Sequence, residues 1–201
     1  MTRRTTLLLL VLSALFVLLV TPVAAQEEAT PEPLPTPPPA ADGPLVQLVK
    51  FFSPTCGHCH LVITETLPPL YEEHGGTPVT TYDQTIPPEE VAYYLMSNGQ
   101  LQILFVDTTM PAGEAMFRAD SVRLDIDSAG VPRMDIEDFY LVGSGDIPDQ
   151  LPGIVADALA GEGIDWPEVP GLAEALEPFI AMGAVPALEL AADSETDEAA
   201  A

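Results

Sequence analysis

Residues 45–60, LVQLVKFFSPTCGHCH, decide how the rest of the chain is read. The apolar run Leu45–Phe52 has the character of a strand covered on both faces, and Ser53-Pro54-Thr55 turns it into Cys56-Gly57-His58-Cys59. From His60 onward the sequence reads as a helix. The stretch therefore delivers two cysteines to a helix's first turn. The leading N–H groups of a helix have no intrahelical partner, which gives that end roughly half a positive charge. A thiol placed there loses its proton more readily, and the thiolate is the nucleophile. The two-residue gap keeps the sulfurs close enough to form a small disulfide ring.

The rest of the chain bounds what that pair can be for. Arg3 and Arg4, the apolar run Leu7–Val20 and the small residues Val23-Ala24-Ala25 predict a signal peptide over residues 1–25, hence export; left uncleaved, the run would act as an anchor. The chain holds 2 cysteines, both in the CxxC. A secreted domain stapled for stability carries several pairs far apart in sequence, and a four-residue loop constrains the unfolded chain little, so the pair is better explained by reactivity. All 31 acidic residues follow Ala25, where only Lys50, Arg118, Arg123 and Arg133 are basic. So acidic a surface disfavours nucleic acid and anionic lipid, and its first consequence is solubility.

The proline-rich stretch 26–43 predicts an extended linker. Helix one is expected over Cys56–His74, broken at Pro68-Pro69, with Leu61, Val62, Leu67 and Leu70 toward a sheet. Residues 75–100 read as a helical insertion: Pro87-Pro88-Glu89-Glu90 resembles a helix start, Val91, Tyr94 and Leu95 share a helical face, and Asn98-Gly99 ends it. Leu101–Asp107 is a second core strand. A helix from Pro111, capped by Thr108-Thr109, should bury Ala112, Ala115, Met116, Ala119 and Val122. Pro132–Glu137 and Phe139–Gly143 form a hairpin turning at Glu137-Asp138, and a helix capped by Asp146 or Asp149 ends near Ala160-Gly161. Residues 162–190 read as a helical extension and 191–201 as an acidic disordered tail. The expected fold class is α/β: a βαβ unit, then a β-hairpin and a helix, over residues 44–161.

Phe-Phe-Ser-Pro-Thr-Cys-Gly-His-Cys resembles the redox loop of the thioredoxin-like family, and CGHC is similar to the disulfide isomerase version. The resemblance implies a thioredoxin fold and protein thiol–disulfide oxidoreductase activity, with no cofactor beyond the redox-active disulfide. Cys56 would attack the client and Cys59 would resolve the mixed disulfide. Val131-Pro132 stands where the family has a cis-proline that pairs with client backbone. His58 would favour the Cys56 thiolate; lowering that thiol by about two units is worth about 2.7 kcal/mol. That raises the potential by up to about 60 mV, toward the isomerase range near −200 mV. Lys50 departs from the family, which has a buried acid there: a buried amine could act as a base or stabilise a thiolate, or its head could reach solvent. VPRMDIEDFYLVGSGDIP and DWPEVPGL look like thioredoxin domains associated with bacterial vitamin K epoxide reductase homologues, which implies such a quinone-coupled membrane enzyme as partner beside protein thiol and disulfide clients.

One other chemistry fits the motif. Cys56-Gly57-His58-Cys59-His60 satisfies C-x-x-C-H, the c-type haem attachment pattern, with His60 as proximal ligand. The strand-like run before it and the later hairpin argue for the thioredoxin reading. A structural metal site would need a second ligand pair, and only His74 remains.

Overall fold

The computed structural model describes residues 35–127 and 130–187. The signal peptide, the first part of the linker and the acidic tail expected from the sequence lie outside those residues. The fold is mixed α/β. A six-stranded sheet has the order β2-β3-β4-β1-β5-β6, with β1 Val46–Phe52, β2 Val79–Thr81, β3 Tyr93–Ser97, β4 Leu101–Asp107, β5 Arg133–Ile136 and β6 Phe139–Val142. β1 is central, parallel to β4 on one side and antiparallel to β5 on the other. Its alternation sends Val46 and Leu48 to one face and Val49 and Phe51 to the opposite face, each within a separate hydrophobic cluster.

The first face is covered by α1 Gly57–Leu61, α2 Leu67–Glu73 and α4 Gly143–Ala160, through Val62, Leu67, Leu70 and Tyr71 and through Ile147, Leu151 and Val155. Between α1 and α2 lies a π-helical turn, Val62–Thr66, which leads into Pro68-Pro69 in the first turn of α2. Proline lacks an N–H and its ring crowds the carbonyl four residues back. The wider turn accommodates both without ending the helix, and the Thr64 hydroxyl donates to the His60 carbonyl at 2.8 Å. Leu61, expected to face the sheet, is 43% exposed instead.

The expected helical insertion is corrected. Pro88–Glu90 makes a single 3₁₀ turn, and Tyr93–Ser97 is a strand paired antiparallel with β4. Leu95 enters the second cluster while Tyr94 and Met96 pack on the first, a period of two that a helix cannot produce. Asn98-Gly99 turns the β3–β4 hairpin: Gly99 has φ 92°, and the Asn98 side-chain oxygen accepts the Gln100 and Leu101 N–H groups. The end of the linker leans on this turn, with the Ala41 N–H donating to the Gly99 carbonyl at 2.8 Å.

The second face carries α3 Pro111–Arg123 and α5 Leu172–Ala181. The expected apolar stripe of α3 is corrected too. Ala112, Ala115, Ala119 and Val122 face outward, whereas Gly113, Met116, Asp120 and Ser121 are buried. A side chain at Gly113 would run into the Asp107 carbonyl, so the glycine lets α3 start hard against the end of β4. Thr108-Thr109 does not cap the helix; the Asp107 carboxylate accepts from the Thr109 N–H and hydroxyl at 2.8 and 2.7 Å. α4 begins at Gly143, ahead of the expected Asp146 or Asp149 caps, neither of which caps it, and ends at Ala160 as expected. The hairpin turns at Glu137-Asp138, with Glu137 at φ 47°.

Residues 162–187 are part of the core. Ile164 bridges to Val46 beyond the end of β5, and Leu172, Leu176 and Phe179 pack in the second cluster with Val49, Phe51 and Leu104. Leu176→Ala should therefore cost about 2–3 kcal/mol of unfolding free energy in urea titrations. A cost near zero would return this segment to the status of an appendage. Among the described residues no helix is long and apolar enough to cross a membrane.

Candidate functional site

At the end of β1 the Thr55 N–H donates to the Ser53 hydroxyl and the Cys56 N–H to the Ser53 carbonyl, at 3.3 and 3.1 Å. That turn sets Cys56 in extended conformation (φ −86°, ψ 112°) as the N-cap of α1. Its sulfur accepts the Cys59 N–H at 3.3 Å, taking the place of a capping oxygen. Cys56 is half-buried, Cys59 is 1% exposed, and the two are not bridged in this structure.

Position separates the two thiols chemically. Burial works against ionisation of Cys56, but hydrogen bonds from the Cys59 thiol and from the Cys59 and His58 N–H groups, with a contribution from the Lys50 charge, lower its pKa below the ordinary thiol value. Cys59 is pushed up to about 11, first by burial, then by the hydrogen bond it gives Cys56. One sulfur is reachable and readily ionised; the other is sheltered and holds its proton.

Val131-Pro132 lies across from the pair. The peptide bond is cis, Pro132 is buried, and the Cys56 thiol donates to the Val131 carbonyl at 3.6 Å. The His58 ring is hydrogen-bonded through Nδ1 to the Ser144 hydroxyl at 2.8 Å, in the first turn of α4. It is the His58 backbone N–H, not the ring, that contributes to lowering Cys56. Lys50 is fully buried on β1, on the face covered by α1, and its ammonium has no hydrogen-bond partner. Burial lowers it to about 8, against the raising effect of charge on Cys59 and Cys56.

Sequence reasoning did not reach the support beneath Val131-Pro132. Arg133 is fully buried over the rings of Phe51 and Phe117, which pack on each other with centroids 5.1 Å apart, its guanidinium 4.5 and 4.7 Å from them. It donates to Asp135 at 2.7 and 3.0 Å, to the Ser121 hydroxyl at 2.9 Å, and to Asp120. Arg133 and Asp135, two residues apart in one strand and so on the same face, were the available signal.

The motif's second chemistry fares poorly on geometry. A porphyrin bonded to both sulfurs would have to reach Cys59, which is 1% exposed beneath the helix start, while His60 lies exposed on the surface. Among the described residues no group of three or more His, Cys, Asp or Glu side chains is arranged to hold a metal ion. No family model, no curated protein and no solved structure matches the chain.

Proposed function

We propose that the chain is an exported protein thiol–disulfide oxidoreductase of thioredoxin type, working through a Cys56–Cys59 redox pair. The observation that carries this reading is the opposed character of two thiols in one helical turn: Cys56 accessible and lowered, Cys59 buried and raised to about 11. An exchange catalyst needs both, one sulfur to attack first and one to stay out of the way until the first is occupied. The run β4-β1-β5-β6, with α4 following the hairpin, is the arrangement the thioredoxin reading requires, and β2 and β3 extend it at one edge. The apolar residues exposed along edge strand β6, Phe139, Tyr140 and Val142, suit unfolded clients.

In the reducing direction the Cys56 thiolate attacks a client disulfide, forming a Cys56–client bond and releasing one client thiolate. Cys59, once deprotonated, attacks the Cys56 sulfur; the Cys56–Cys59 bond forms, the second client thiolate leaves, and the pair has passed two electrons to the client. The oxidising direction is the reverse. Export rests on residues 1–25, and a quinone-coupled vitamin K epoxide reductase homologue is the electron partner the resemblance suggests.

The test is equilibration in glutathione buffers, with alkylation and mass analysis of the Cys56–Cys59 pair. A reversible dithiol–disulfide transition is expected, its potential in the isomerase range near −200 mV. A value below about −260 mV would point to a reductase. A pair unable to toggle would end the reading.

A further inference from the structure

Lys50 is the only lysine of the chain and is fully buried with no hydrogen-bond partner. An ammonium in that position costs several kcal/mol unless a counter-charge accompanies it. Its neighbours offer few. Across the sheet it is paired with Phe105 on β4 and Met134 on β5, and α4 contributes Ile147 and Leu151 to the same face. Asp107 lies further along β4, opposite Phe52, with its carboxylate engaged by Thr109. Tyr94 on β3 stands beyond Phe105. The charges that act on Lys50 are those of Cys59 and Cys56. They exist only while the pair is reduced, since a disulfide carries none.

We infer that Lys50 is a redox-linked proton carrier, taking up a proton when the Cys56–Cys59 bridge is reduced and giving it up when the bridge re-forms. The inference rests on the exchange reading above. The balance closes: bridge, neutral amine, two electrons and two protons become Cys56 thiolate, Cys59 thiol and Lys50 ammonium. With a client dithiol as electron donor, the client's two thiols supply both protons as they join in a disulfide, and none passes to solvent. Between the amine's two midpoints the charges therefore appear and disappear as a pair, ammonium with thiolate.

The single lysine makes the test direct. Full-length protein carrying ¹³C-labelled lysine gives one side-chain Cε signal, followed against pH in the reduced and in the oxidised state. The amine should titrate near pH 8 in the dithiol form and at least about one unit lower in the bridged form, a tenfold shift in proton affinity. Equal midpoints overturn the inference. Lys50→Met, of similar length and apolar, supplies the second measurement, after melting and thiolate absorbance have verified its fold and located its Cys56 titration. Above that titration and between the amine's two midpoints, where a thiol of ordinary value, about 8.5, such as glutathione's keeps its proton, the wild-type equilibrium constant with glutathione should be independent of pH. That of Lys50→Met should change about tenfold per pH unit, or about 30 mV. Identical pH dependence in a pair that toggles sinks the proton carrier alone, whereas a pair that cannot be bridged at all sinks the exchange reading and this inference together.

Discussion

Cys56→Ser should abolish disulfide exchange, with insulin reduction falling on the order of 10³-fold or more, to the level of buffer thiol alone, because the attacking atom of the proposed reaction is gone. The Cys59→Ser variant behaves differently. Its Cys56 should still attack, so a mixed disulfide is expected to form and persist, visible as a mass adduct that dithiothreitol releases. The two variants read opposite sides of the same asymmetry. In the wild type the attack should follow ionisation of Cys56, rising with pH and levelling below the ordinary thiol value of 9.0, since this thiol is lowered. Resolution should keep accelerating above neutrality, because burial, the largest cause of the raised Cys59 value, persists once Cys56 is occupied. Forming the mixed disulfide removes the charge on Cys56, so the resolving thiol then ionises more easily than in the free dithiol. Retained activity in Cys56→Ser, or adducts that clear from Cys59→Ser as fast as from wild type, would reverse or remove the assigned roles.

Much of this site was legible because it is local. Cys56, Cys59 and the turn that holds them lie within a few residues, and strand, turn and helix start all follow from composition there. The β5–β6 hairpin was equally plain, with strands of four residues meeting at Glu137-Asp138. What stayed hidden was decided by distant neighbours. Val91–Leu95 satisfies both a helical and an alternating pattern, and the free edge of β4 settles it as strand; Asn98-Gly99, which can stop a helix, turns a hairpin there. The buried face of α3 was misread because its occupants include Asp120 and Ser121, drawn inward by Arg133, and apolar spacing cannot reveal a buried ion cluster. The Val131 carbonyl and Ser144 reach the motif from 75 and 86 residues away, through the pairing of β5 with β1 and the helix that follows the hairpin.

The cluster around Arg133 carries the second large effect. Arg133→Met keeps most of the volume packed against Phe51 and Phe117 but removes the cation, and should cost about 3–5 kcal/mol, the range for breaking a buried ion pair from one side. Asp120 keeps Arg123 at 2.8 Å, while Asp135 loses both of its guanidinium donors. That difference gives the loss a pH signature. Burial, then the hydrogen bond with Asp120, already raises Asp135 to about 8, with Arg133 pulling the other way. Removing Arg133 raises it further. A carboxyl whose folded pKa lies above its unfolded value contributes stability at low pH that disappears as pH rises through the folded pKa. The variant should therefore lie closer to wild type in urea unfolding at about pH 6 than at about pH 10, since the two differ in Asp135 only above the wild-type value of about 8. Adding Asp135→Asn should recover part of the loss at about pH 10, since a neutral amide needs no counter-charge. An equal cost at both pH values would mean that Asp135 is not the group left stranded, and that Arg133 acts through its stacking on the two rings.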